Sequence, residues 1–85
     1  MAKKEVGRIF TIQLYPRKDK QHYEVKVRVT FDEIDELVGI IDRIESLVGT
    51  GTSECIAFAD EDGRFVVNIK NIEAILWNDE AWEVE

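Results

Sequence analysis

With one cysteine, Cys55, the chain closes no disulfide within itself, and with one histidine, His22, it offers no Cys/His cluster at metal-ligand spacing. The usual staples of small domains are missing, so 85 residues rely on a single core near the lower limit of sufficiency, or on self-association. Nowhere does an apolar run approach the ~18 residues of a membrane span. The first residues, with Lys3, Lys4, Glu5, Gly7 and Arg8, lack the unbroken apolar stretch of a signal peptide. Low-complexity segments and internal repeats are absent as well. These absences lead us to expect one soluble, cytoplasmic domain over residues 1–85, with residues 1–6 and 79–85 as flexible ends, no cofactor, no metal and no membrane contact. Small acidic chains of this kind are common among bacterial and phage accessory proteins.

What is present is charge, and it is segregated. Through Thr30 there are eight basic residues against three acids; from Phe31 onward three stand against fifteen, giving the chain its −7. Such asymmetry bears on partners and solubility rather than on fold.

Hydrophobic periodicity supplies the fold. Over residues 8–15, Phe10, Ile12 and Leu14 alternate with polar positions, and over 23–29 Tyr23, Val25, Val27 and Val29 alternate with Glu24, Lys26 and Arg28, so two strands form a hairpin around the polar, proline-bearing segment 16–22. Thr30 and Glu33 have capping-box spacing at the start of a helix over 30–48, whose apolar stripe runs through Ile34, Leu37, Val38, Ile41, Ile44 and Val48 and whose left-handed terminator is Gly49. Gly39, mid-helix, predicts a neighbour packed closely against it. Strands over 54–59, 64–69 and 72–77 follow, the first two joined at the Asp62-Gly63 step. The order β-β-α-β-β-β gives an α+β domain with a mainly antiparallel five-stranded sheet and one amphipathic helix on one face.

The chemistry-bearing patterns are weak. Gly49-Thr50-Gly51-Thr52-Ser53 follows a helix, whereas a phosphate cradle precedes one and aims its free N–H groups at the anion; a cap and connector is the better reading. Asp60-Glu61-Asp62-Gly63 lacks the alternating ligands and terminal glutamate of a calcium loop and reads as a turn. Cys55 lies within a strand, where cysteine usually serves as a small buried hydrophobe, and His22 lies in a polar loop with no evident orienting carboxylate, so no nucleophile and base are assigned. We expect no enzyme.

Two surfaces have functional reach. Phe65-Val66-Val67 and Ala74-Ile75-Leu76-Trp77 carry apolar side chains on both faces of their strands, which predicts a face left for a second copy; Val66, Leu76, Trp77 and Trp82 are the candidate interface residues of a homodimer. The basic hairpin, through Arg17, Lys18, Lys20, Tyr23, Lys26 and Arg28, is the candidate nucleic-acid contact. The leading expectation is a non-enzymatic interaction module that self-associates and presents charged surface to a protein partner. The alternatives are a small nucleic-acid-binding domain, and an acidic mimic in which the helix carboxylates imitate a phosphate backbone.

Overall fold

The computed structural model describes residues 2–18, 21–60 and 63–85. The chain runs β1 (Lys4–Pro16), β2 (Tyr23–Thr30), a 3-10 turn (Phe31–Glu33), α1 (Ile34–Leu47), β3 (Cys55–Asp60), β4 (Gly63–Asn68), a second 3-10 turn (Ile69–Asn71) and β5 (Ile72–Val84). The α+β class and the antiparallel pairing follow the sequence pattern, but the five strands divide into a sheet ordered β2-β1-β5 and a separate hairpin β3-β4.

Register explains which residues enter the core. Phe10, Ile12 and Leu14 of β1 stand opposite Val27, Val25 and Tyr23 of β2, and opposite Asp79, Trp77 and Ile75 of β5. Opposite residues in an antiparallel pair share a face, so the valines and the Phe10-Ile12-Leu14 row form one apolar wall. Against it lie Leu37, Ile41 and Ile44 of α1, with Ile56 and Val67 of the hairpin, Ile69 of the second turn and Ile72 closing the ends. No polar or charged residue among those described is buried.

β5 is longer than periodicity indicates, continuing past Trp77 through Asn78, Asp79 and Glu80 to Val84, antiparallel to β1 throughout. Residues expected as a trailing tail are therefore strand. The polar run hides this because its charge is answered on another strand: Arg8 Nε donates to Asp79 at 2.9 Å, and the same guanidinium donates to Glu5 at 3.1 Å. Two register shifts bracket the pairing, at Val6 on β1 and at Glu73 on β5. The second places Ile72 back on the core side, where it is buried, while Ala74 and Leu76 face the other way.

Gly7, beside the first shift, is buried, and a Cβ there would lie 2.0 Å from the carbonyl oxygen of Val29, so only glycine lets β2 approach this closely. Gly39 corrects the expectation placed on it: nothing lies within 4 Å of where its Cβ would be. Glycine is tolerated there because the position is exposed. The helix start follows its sequence signature, with the Glu33 carboxylate accepting from the backbone N–H of Thr30 at 3.1 Å and from its hydroxyl at 2.8 Å. These two bonds to the ionised form hold the Glu33 carboxyl below its ordinary pKa. At the other end Gly49 takes φ +85°, the left-handed conformation that terminates the helix, and the Val48 N–H donates back to Ile44 O.

Candidate functional site: a cleft with a basic rim

Where the connected end of the β1-β2 hairpin, at Pro16 and Tyr23, meets β4 and the second 3-10 turn, the surface opens into a cleft of about 990 Å³. Its walls combine Leu14, Val25 and Ile72 from the main sheet with Val66 and Val67 from β4. Tyr23 and Val66 are largely exposed, at 58% and 67%, so apolar surface faces water here. Around the mouth stand Arg17, Lys18 and Lys70, with Glu24 the one described acid among the lining residues. The rim is thus cationic on a chain whose net charge is negative.

Local folding positions these groups. Pro16 ends β1 and sends the chain toward β5, where the backbone N–H of Arg17 donates to Asn71 O at 2.9 Å and its Nε to Lys70 O at 3.2 Å. The second 3-10 turn is set by Asn68, whose side-chain oxygen accepts from Lys70 N–H at 3.1 Å, and by Ile69, whose N–H donates to Glu54 O at 3.0 Å while its side chain is buried. Lys70, next to that anchor, is left on the surface at the cleft mouth.

The candidate nucleic-acid residues do not form one surface. Arg17, Lys18 and Tyr23 gather at the cleft, and His22 stacks on Tyr15 with ring centroids 5.1 Å apart. Lys26 and Arg28 lie on the opposite face of the sheet, in register with Thr11 and Ile9, and the Arg28 guanidinium sits 5.9 Å over the ring of Trp82. Lys20 falls outside the described residues.

The candidate interface residues are separated in the same way. Val66 borders the cleft, whereas Leu76, 57% exposed, pairs with Gln13 on the outer face of the main sheet. Trp77 is turned to the core side, stacked on Phe10 at 5.5 Å and donating its indole N–H to Glu45 of α1 at 3.2 Å, yet keeps 39% of its surface exposed. Trp82 is half-buried in the row Thr30–Gly7–Trp82, with the Arg28 guanidinium over its ring. No single patch joins Val66 to Leu76, because Val66 stands on the β3-β4 hairpin at the cleft and Leu76 on the outer face of the main sheet.

Cys55 also departs from its sequence reading: it is exposed, its thiol 3.9 Å from the carbonyl oxygen of Ser53, because Ile56 takes the inward position of β3. On the acidic side, Glu33 is engaged in the helix cap, Glu45 with Trp77, and Glu54 with Arg43. Among the described residues no group of three or more His, Cys, Asp or Glu is placed to hold a metal ion, and no helix is long and apolar enough to cross a membrane.

Sequence inspection named Arg17, Lys18, Tyr23 and Val66, but as members of two different surfaces. It missed Lys70, Leu14 and Ile72 as their neighbours. The polar Lys70-Asn71 step was the only signal, and it reads equally as a plain turn. No protein-family model, curated protein or solved structure matches the chain.

Proposed function

We propose that this protein is a non-enzymatic, cytoplasmic interaction module whose cleft receives an acidic segment of a protein partner, with apolar side chains of that segment seated against the exposed Tyr23 and Val66. The observation that carries this reading is the combination in one concavity of the exposed apolar side chains Tyr23 and Val66 and a rim bearing Arg17, Lys18 and Lys70. An apolar centre inside a polar rim is the anatomy of protein-protein contacts, in which the centre supplies affinity and the rim charges supply orientation and association rate. The nucleic-acid alternative draws on the same cations but loses Lys26 and Arg28, which face away from the cleft. The acidic-mimic alternative draws on helix carboxylates of which Glu33 and Glu45 already have partners within the chain.

The test is an amide NMR titration with the peptide acetyl-Glu-Glu-Leu-Phe-Glu-Glu-amide and, in parallel, its lysine-for-glutamate counterpart. Shifts confined to residues such as Leu14, Arg17, Tyr23, Val66 and Lys70, seen with the acidic peptide alone, support the reading. Equal response to both peptides, no response to either, or shifts centred on α1 or the outer sheet face would overturn it. A single-stranded RNA oligonucleotide producing the cleft shifts where the peptide does not would move the assignment to nucleic acid.

A further inference from the structure

The free edge of β5 is a second surface, independent of the cleft, and we propose that it pairs antiparallel with the same strand of a second copy, about a two-fold axis through Trp77. β5 hydrogen-bonds to β1 along one side, and among the described residues no strand pairs with its other side. Thirteen residues at ~3.3 Å each run most of the 50 Å long axis of the molecule, so this edge presents unpaired N–H and C=O groups over nearly its full length. Such edges are templates for strand addition unless blunted by charge, proline or a bulge. Here the blunting is confined to the flanks. Glu73 sits at the register shift, and Asp79, Glu80 and Glu83 lie toward the far end, while residues 74–78 carry no charge and include the exposed Leu76 and Trp77.

The carboxylates select the occupant's register. Residues that face each other across an antiparallel pair share a face, so a two-fold axis normal to the sheet must pass through a residue. Through Leu76 it would set Glu73 against Asp79. Through Asn78 it would set Glu73 against Glu83, and through Asp79 or Glu80 it would set that residue against its own copy; like charges directly opposed are destabilising. Through Trp77 no carboxylate opposes another: Ala74 faces Glu80, Ile75 faces Asp79, Leu76 faces Asn78 and the two Trp77 residues meet. An axis through Ile75 also avoids opposition, but it pairs a shorter stretch and leaves Trp77 against Glu73 at the register shift. The Trp77 register extends the main sheet of each copy into one of six strands, in place of the face-to-face packing that the sequence suggested.

Light scattering on the wild-type chain, together with disulfide trapping in a Cys55→Ser background, tests this. Facing residues in an antiparallel pair lie ~4.5–5.5 Å apart at Cα, within disulfide reach, whereas diagonal neighbours lie ~7–8 Å apart. Chains carrying Leu76→Cys mixed with chains carrying Asn78→Cys should cross-link to each other in large excess over either with itself, and the wild-type mass should approach that of two chains at high micromolar concentration, more readily as salt screens the acids. A wild-type mass of one chain throughout that range overturns the proposal. So does a dimer in which the mixed cross-link is no more abundant than the self cross-links, since that dimer forms elsewhere.

Discussion

The backbone N–H of Arg17 donates to the carbonyl of Asn71 at 2.9 Å, tying the end of β1 to the turn that leads into β5 beside the cleft. The Arg17 side chain adds a second tie through Nε to Lys70 O. Arg17→Ala removes only the side-chain bond and leaves the backbone one. We expect it to cost about 0.5–1.5 kcal/mol at most, the net worth of an ordinary hydrogen bond, while weakening capture of an acidic peptide. Urea denaturation and peptide titration of the same variant separate the two effects.

Gly7 and Gly39 should respond in opposite senses to alanine. At Gly7 the new methyl would collide with the Val29 carbonyl, and we expect a loss of about 1–3 kcal/mol, the range for overpacking a filled site. Gly39 is exposed and open, so alanine there should add about 0.5–1 kcal/mol by helix propensity alone. Chemical denaturation of both decides the point. A destabilised Gly39→Ala would mean that a neighbour does pack against that position.

Ile41 and Ile44 are fully buried between α1 and the main sheet. Truncating either to alanine should cost about 2–5 kcal/mol through lost burial and the cavity left behind. Near-wild-type stability of both variants in thermal or urea unfolding would contradict the placement of the helix.

Glu33 gives the pH dependence a sign. Its carboxyl is held below the ordinary value by the backbone N–H of Thr30 first and by the Thr30 hydroxyl second. A depressed folded-state pKa contributes stability above the unfolded-state value, and that contribution disappears as pH falls through the lowered one. Wild type should therefore be more stable than Glu33→Gln at neutral pH, with the gap closing in acid. Parallel stability-pH profiles for the two proteins would contradict it.

The alternation of residues 8–15 and 23–29 and the stripe from Ile34 to Val48 made the hairpin and the helix legible, because burial on one face writes a period into the sequence. The far half of β5 wrote none. Asp79 occupies the core side of that strand only because Arg8 meets it from β1, a pairing between residues distant in sequence that periodicity cannot register. The requirement for Gly7 comes likewise from the approach of Val29, and the return of Ile72 to the core comes from the register shift at Glu73. The candidate site was legible in its residue types and illegible in its grouping. Composition flagged the basic hairpin, but the strand faces split Lys26 and Arg28 from Arg17 and Lys18, and the second 3-10 turn brought Lys70 to join the latter.

The most direct test of the cleft is a fluorescence-anisotropy titration of the labelled acidic peptide against the wild type, Lys18→Glu/Lys70→Glu, and Val66→Asp. Reversal at both rim lysines should abolish binding without unfolding the chain, since both side chains are exposed, and Val66→Asp should weaken it by opposing the peptide's charge and removing an exposed apolar side chain. Wild-type affinity should fall as salt rises. Unchanged affinity in the folded Lys18→Glu/Lys70→Glu protein would contradict the assignment of the cleft as the partner site.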